Sequence, residues 1–114
     1  MHKKFWMSYN IKTISVFDKN IKKLAKKHSS IKTDFAELLE SLRENPKQGT
    51  LLGNNSYKIR MQISSKNKGK SGGARLISHF IIQDETIYLL TIYDKSEQGT
   101  ISDKELRDLI NLIE

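Results

Sequence analysis

The middle of the chain carries basic residues and no acidic ones. Between Asn45 and Gln83 there is neither aspartate nor glutamate, although the 114-residue chain has 13 acidic residues in all. The basic residues of this window equal the whole formal net charge of +7. Such a cationic patch suits a polyanionic partner, although a merely solvated basic surface would have the same composition. The window contains Lys47, Lys58, Arg60, Lys66, Lys68, Lys70 and Arg75.

Five residues in or just after this window could carry out phosphate chemistry. Lys58 and Arg60 alternate along a predicted strand, so their side chains share one face. Arg75 begins the next predicted strand, while Tyr93 and Lys95 lie at the end of the last one. Arginine binds two phosphate oxygens with its planar fork, and clustered cations can lower the pKa of a lysine enough to make it a base. We expect these side chains to converge on one face and form a catalytic site.

Each candidate also has an ordinary structural explanation. His79 is expected to be a packed or rim residue, because apolar residues follow it. His28 is expected to face a helix-packing seam. The corresponding explanations for four of the five candidates are a solvated Lys58, an Arg75 paired with Asp94 or Glu97, a Tyr93 that only packs in the sheet, and a Lys95–Glu97 ion pair.

Further lysines are candidates for binding an RNA backbone. Three lie on the polar face of the predicted first helix, and three lie in the polar stretch SKNKGKSGG. Binding through such lysines would weaken strongly with added salt, because each phosphate contact releases a counterion. The candidates are Lys22, Lys23, Lys26, Lys66, Lys68 and Lys70.

The stretch Gly69-Lys70-Ser71 looks like the end of a nucleotide-binding phosphate loop but does not fit its pattern. That loop needs an earlier glycine where this chain has Ser64, and it must lead into a helix rather than a strand. We therefore predict a glycine-rich turn. The sequence has no cysteine, no HExxH motif and no acidic metal-binding pattern. It indicates neither a metal nor another cofactor.

Hydrophobic periodicity predicts the element order β-α-α-β-β-β-α in a single domain spanning residues 1–114. The predicted class is α+β, with an antiparallel sheet, a helical hairpin, a C-terminal helix and all helices on one face. No apolar run is long enough for a signal or a membrane span, so we expect a cytoplasmic protein. The predicted elements are a strand at 11–17, helices from Asp18 and Ile31 ending at Asn45-Pro46, a loop at 47–56, strands at 57–64, 74–83 and 86–94, and a helix capped by Ser102 and Glu105.

Several of these motifs together resemble the RelE/ParE toxin superfamily, and most closely its HigB-like branch. The resemblance rests on YKIRMQ, GKSGGARLI, TIYLLTIYDKSE and the Ser-x-x-Glu start of the final helix. The helical hairpin that ends in Asn45-Pro46-x-x-Gly49 is also similar to that family, so the resemblance spans nearly the whole chain.

The resemblance implies a toxin of a type II toxin-antitoxin system. It implies metal-free cleavage of messenger RNA, usually on the translating ribosome, by attack of a ribose 2′-OH on the adjacent phosphate. It also implies a cognate antitoxin, which we expect to be of the helix-turn-helix type. Branches of the superfamily place catalytic residues differently, so individual roles are not carried over. Two different functions stay open at this point: a ParE-like gyrase inhibitor and a non-catalytic basic binding module.

Overall fold

Three helices and a five-stranded sheet make up the fold in this computed structural model, which describes residues 9–66 and 72–113. The α+β class and the element order that the sequence predicts are confirmed, with one additional strand. In chain order the elements are β1 (Asn10–Thr13), α1 (Ser15–Lys27), α2 (Ile31–Glu44), β2 (Thr50–Gly53), β3 (Ser56–Met61), a 3₁₀ turn (Ser64–Lys66), β4 (Ala74–Ile81), β5 (Thr86–Asp94) and α3 (Asp103–Ile110).

The strands lie in the order β1-β5-β4-β3-β2. From β2 to β5 they form the antiparallel meander that the short connections predict. Only β1 departs from this arrangement, since it pairs in parallel with β5 along the outer edge. The helical hairpin carries the chain across the sheet from β1 at one edge to β2 at the other, and the meander then returns to place β5 beside β1.

The predicted loop at 47–56 contains the additional strand, β2. Its register with β3 runs from Thr50 opposite Lys58 to Gly53 opposite Ser56. The turn between these strands is Asn54-Asn55, and both residues have positive φ, at 52° and 61°. Two consecutive left-handed residues, preferably asparagine or glycine, are typical of a tight hairpin turn. The two asparagines were therefore the signal that the loop prediction missed.

The first strand is shorter than predicted, because β1 ends at Thr13 and α1 begins at Ser15. The β-branched run had favoured a strand through Phe17. In the structure Phe17 lies about two helical turns before Leu24, and both side chains are buried against the sheet. Burial of an apolar helix face outweighs the weaker local strand preference of Ile14 and Val16.

The helices pack on both faces of the sheet, so the prediction that they share one face is wrong for α3. The larger core joins α1 and α2 to one face through residues such as Leu42 and Ile92. On the other face, Leu106 of α3 packs with Ile77, Leu90 and Tyr93. Neighbouring strand residues point to opposite faces, and β4 and β5 are apolar on both. The predicted capping box between Ser102 and Glu105 begins α3 and is confirmed.

Two buried carboxylates fasten the turns to these helices. Asp34 in the first turn of α2 accepts hydrogen bonds from Ser64 Oγ at 2.6 Å, from the Ser64 N–H at 2.9 Å and from Ser30 Oγ at 2.7 Å. Burial favours the neutral acid, but these bonds outweigh it and lower the pKa of Asp34. The start of α2 is thereby tied to the 3₁₀ turn that follows β3.

Asp94, the last residue of β5, forms the second and larger network. Its carboxylate lies 3.0 Å from Lys66 Nζ, 3.3 Å from His28 Nε2 and 2.7 Å from Ser96 Oγ, and it also accepts from the Ser96 N–H. Burial alone would raise the pKa of Asp94, yet the bonds from Ser96 and the ion pair with Lys66 lower it to about 2. The end of α1, the 3₁₀ turn and the end of β5 are therefore held at one point.

We expect the Asp94 network to make the protein sensitive to acid. The folded pKa lies below the ordinary value of 3.8. The carboxylate therefore contributes about 2 kcal/mol to the free energy of unfolding above about pH 4, and this is lost as the pH falls toward 2. Asp94→Asn should lower the free energy of unfolding by about 2 kcal/mol or more at pH 7, because it leaves Lys66 without its partner.

Urea unfolding at pH 7 and at pH 3 measures this effect. Wild type should lose more stability between the two values than Asp94→Asn does. Asp84→Asn, on the exposed β4–β5 turn, is the matched control and should lose as much as wild type. Equal acid losses in wild type and Asp94→Asn would contradict the role of this carboxylate.

Candidate active site

Three of the predicted catalytic residues lie side by side across the sheet. Arg60 on β3 is paired with Arg75 on β4, and Arg75 is paired with Tyr93 on β5. Residues directly opposite one another in antiparallel strands point to the same face, with Cβ atoms about 4.5–5.5 Å apart. The three strands therefore bring these side chains into one line, which we call the Arg60–Arg75–Tyr93 row. Lys58 lies two residues before Arg60 and shares its face.

A β-bulge places Tyr93 in this row. Along β4 and β5, Ser78 is opposite Leu89 but Ile77 is opposite Thr91, so Leu90 is an extra residue without an opposite partner. In a regular ladder Arg75 would face Ile92, and Tyr93 would point toward α1 and α2 on the other face.

Burial differs sharply along the row. Arg75 is 4% exposed and Tyr93 is 8% exposed, whereas Arg60 is exposed and Lys58 is half-buried. Arg75 Nη1 donates to the carbonyl of Ala74 at 3.0 Å. Burial lowers the pKa of Arg75, and the charge of Arg60 lowers it further, while Tyr93 acts in the opposite direction. Two opposed arginines repel each other, so this arrangement favours an anion between them.

Tyr93 lies at the inner end of the row, under α3. Burial raises the pKa of Tyr93, Arg75 lowers it, and Glu105 of α3 raises it. The phenol is therefore neutral at physiological pH and can donate a proton. Its buried hydroxyl has no hydrogen-bond partner in the part of the chain that the structure describes. Leu106 packs in the same apolar cluster and covers this end of the row.

Lys95, the fifth predicted catalytic residue, lies beyond the end of β5. Its backbone N–H donates to the carbonyl of Gly73 at 3.0 Å, and the residue is exposed. Within residues 9–66 and 72–113, no contact joins its side chain to the row. The predicted Lys95–Glu97 ion pair is wrong, because Glu97 bonds to Lys27 at 2.8 Å.

The proposed RNA-binding lysines occupy different environments. Lys22, Lys23 and Lys26 are exposed on α1, and Lys23 lines a cleft of about 310 Å³ that also reaches Tyr93. Lys66 is bonded to Asp94 and 16% exposed, so the structure gives it a stabilising contact rather than a free surface position. Lys68 and Lys70 lie outside the described residues.

The two histidines that the structure describes, His28 and His79, lie apart from the row. His79 on β4 bonds through Nδ1 to Ser56 Oγ at 2.8 Å, and burial lowers its pKa. This agrees with the packed or rim position that the sequence predicts. His28 contacts Asp94 at the end of α1 rather than a helix–helix seam. Sequence reasoning missed the bonds of Asp34 to Ser64 and of Asp94 to Lys66, because these partners are distant in the chain.

Metal-ligating side chains do not cluster in the described ranges, where no group of three or more His, Asp or Glu residues is arranged to hold a metal ion. None of the helices in this part of the chain is long and apolar enough to cross a membrane.

A basic row on a largely antiparallel sheet, with paired helices on one face and a C-terminal helix on the other, defines a class of small α+β proteins. A family model described as RelE toxin of the RelE/RelB toxin-antitoxin system matches residues 14–113. The chain therefore belongs to the RelE toxin family. The resemblance to the RelE/ParE superfamily is confirmed, whereas the narrower HigB-like assignment stays a prediction.

Solved structures of RelE proteins share the fold. The isolated E. coli RelE toxin is 17% identical, with a TM-score of 0.61 over 93% of this chain and 100% of that one. A mutant E. coli toxin RelE in the free state is 16% identical, with a TM-score of 0.60 over 95% and 100%. The toxin-antitoxin complex RelBE2 from Mycobacterium tuberculosis gives 12% identity and a TM-score of 0.55 over 77% of this chain and 92% of that one.

The unpaired phenol of Tyr93 allows its chemistry to be separated from its packing. We expect Tyr93→Phe to keep the free energy of unfolding within about 0.5 kcal/mol of wild type or to raise it slightly, because a buried hydroxyl without a partner is costly. Thr91→Val is the matched comparison, since the Thr91 hydroxyl accepts from Asn20 Nδ2 at 2.9 Å. That change should cost about 1 kcal/mol.

Urea denaturation of the two variants beside wild type measures the difference. A Tyr93→Phe loss as large as that of Thr91→Val would show that the phenol is structurally engaged.

Proposed function

We propose that this RelE-family protein is a metal-free endoribonuclease that cuts messenger RNA on the ribosome and thereby inhibits translation. The observation that carries the proposal is the Arg60–Arg75–Tyr93 row with Lys58 beside it. Two guanidinium groups, a lysine amine and a neutral phenol on one face supply the charge stabilisation and the proton transfers that phosphodiester cleavage by a 2′-OH needs.

The arginines would stabilise the charge that develops on the phosphate. When the 2′ oxygen bonds to phosphorus, negative charge builds up on the two non-bridging oxygens. Arg75 and Arg60 can each present a planar pair of N–H donors to those oxygens. Arg75 is buried, so its charge is screened less by water and acts more strongly on the transition state.

Lys58 and Tyr93 would handle the protons. In this proposal Lys58 acts as a free amine and accepts the 2′ proton as the O–P bond forms, and Tyr93 gives a proton to the 5′ oxygen as the second O–P bond breaks. The products are then a 2′,3′-cyclic phosphate and a free 5′-hydroxyl, with no water consumed and no change of oxidation state. Tyr93 could alternatively stack on a base, which would leave the leaving group to be protonated by solvent. Lys95 stays a candidate for a further phosphate contact.

An antitoxin would neutralise the toxin by covering its basic face. The solved RelBE2 complex shows that one protein of this fold assembles with an antitoxin. In our proposal a cognate antitoxin, of the helix-turn-helix type, places acidic residues against Lys58 and Arg60. Such a system acts on cytoplasmic ribosomes, which places the toxin in the cytoplasm. The exposed lysines of α1 would contact ribosomal RNA phosphates.

Arg75→Ala should reduce messenger RNA cleavage by about 10²-fold or more, because the lost contact is strongest in the transition state. The rate is measured by primer extension on a messenger RNA in a purified translation system. The fragment ends are then analysed for 2′,3′-cyclic phosphate and 5′-hydroxyl. Lys32→Ala on the exposed face of α2 removes the same charge and should cleave like wild type.

Intact messenger RNA in the presence of wild-type toxin would overturn the proposal. Linear plasmid produced on addition of gyrase would then support a gyrase-inhibiting toxin instead. Fragments that carry a 5′-phosphate would contradict the 2′-OH mechanism even if cleavage occurs.

A further inference from the structure

A polar groove opens beside the exposed end of the Arg60–Arg75–Tyr93 row. It has a volume of about 200 Å³ and lies between α2 and the end of β3. Its volume corresponds to on the order of six or seven water molecules, which is room for a single flat heterocycle. Its polar lining comprises Asp34, Glu37, Ser41, Gln48, Arg60, Gln62 and Ser64.

The groove exists because β2 pairs with only part of the length of β3. Pairing of β2 begins at Thr50 opposite Lys58, so the last residues of β3 have no strand beside them on that edge. Just before Thr50 the chain turns away at Gly49, which has a φ of +98°. A Cβ at Gly49 would lie 2.4 Å from the Lys58 carbonyl oxygen. Only glycine permits this close approach, which leaves the end of β3 open toward α2.

Hydrogen bonds fix both sides of the groove. Asp34 holds Ser64 through two bonds on one side. On the other, Gln48 Nε2 donates to Ser41 Oγ at 3.0 Å and to the Asn45 carbonyl at 3.3 Å. The groove is therefore formed before anything binds, which lowers the entropic cost of holding a ligand.

Two polar side chains of the lining are available to bind a ligand. Glu37 and Gln62 are exposed, and neither side chain forms a hydrogen bond within the described ranges. A carboxylate only accepts hydrogen bonds at neutral pH, whereas an amide both donates and accepts. Arg60 lines the same groove and also belongs to the row, so a phosphate on the row would lie beside the groove.

We propose that this groove reads the base of the nucleotide next to the phosphate held by the row, with Glu37 accepting hydrogen bonds from the amino group of that base. The inference rests on the proposed function, because it needs an RNA phosphate on Arg60 and Arg75. Adenine, cytosine and guanine each carry an exocyclic amino group, and carboxylates recognise such donors. Uracil has carbonyl oxygens in place of these amino groups, which repel a carboxylate, and its one base-edge donor is the ring N3–H between them. The groove should therefore disfavour uracil.

The test uses four short RNA analogues that cannot be cleaved. Each analogue has a 2′-deoxyribose at the cleavage position. In one set the four analogues differ only in the base on the 5′ side of that position, and in a second set only in the base on the 3′ side. For one of the two neighbours, wild type should bind uracil roughly five- to a hundredfold more weakly than the amino-bearing bases. Glu37→Gln should remove most of that difference, because the amide can also donate to a uracil carbonyl.

Glu40→Gln is the matched control. It makes the same charge change at an exposed position of the same helix, and Glu40 does not line the groove. It should keep the wild-type preference. In cleavage mapping, Glu37→Gln should raise the fraction of cuts beside uracil.

Equal binding of all four bases by wild type, or an unchanged preference in Glu37→Gln, would overturn the groove assignment while leaving the ribonuclease proposal intact. Absence of cleavage by wild type would instead contradict the proposed function. Base-dependent binding to the analogues would still be measurable.

Discussion

One extra residue in β5 determines which side chains lie on the face of the sheet that packs against α3. Leu90 has no opposite partner, and this single irregularity sends Tyr93 to the face that carries Arg60 and Arg75. Because side chains alternate strictly along a strand, no small adjustment could achieve the same result. The bulge serves packing as well, since Leu90 and Tyr93 both join Leu106 under α3. Burial of this apolar cluster therefore offsets the energetic cost of the interrupted strand pairing. The same bulge also forms the site.

A row that contains two opposed arginines needs a rigid support, because like charges separate wherever the backbone allows it. The support lies directly behind the row. Met61, Ala74 and Asp94 follow one another across the same strands with their side chains on the other face. There Asp94 joins the ends of α1, β5 and the 3₁₀ turn. The strand ends that carry the cations are held by a carboxylate network that does not neutralise them.

The sequence predicted the parts of this arrangement that depend on local patterns. The alternation of Lys58 and Arg60, the strand at Thr86–Asp94 and the Ser102–Glu105 capping box are confirmed, because each follows from residues close together in the chain. The short strand β2 was missed because glycines at both ends suggested a loop. Its turn residues, Asn54 and Asn55, carried the contrary signal.

The remaining features depend on residues that meet only after folding. Asp94 and Lys66 are 28 positions apart, so no periodicity pairs them, and Lys66 looked like one more solvated lysine. The bulge at Leu90 was equally hidden, since an apolar strand buried on both faces reads as a continuous run. The same apolar run explains why α3 packs on the face of the sheet opposite α1 and α2. Both faces of β4 and β5 are apolar, so both must be buried.

The two ends of the row differ in a way that matters for any nucleic acid that binds there. At the inner end, Tyr93 and Arg75 are almost wholly buried and α3 lies above them. At the outer end, Arg60 is exposed and borders an open polar groove. In the proposed function, a flexible RNA strand would enter from the Arg60 side, where charge is accessible, and would reach Arg75 only as water is displaced. Water exclusion would strengthen the proposed Arg75–phosphate interaction, so the most strongly interacting group would be met last. This order would favour a phosphate already positioned by its neighbouring nucleotide, which would couple the proposed recognition at the groove to the proposed chemistry in the row.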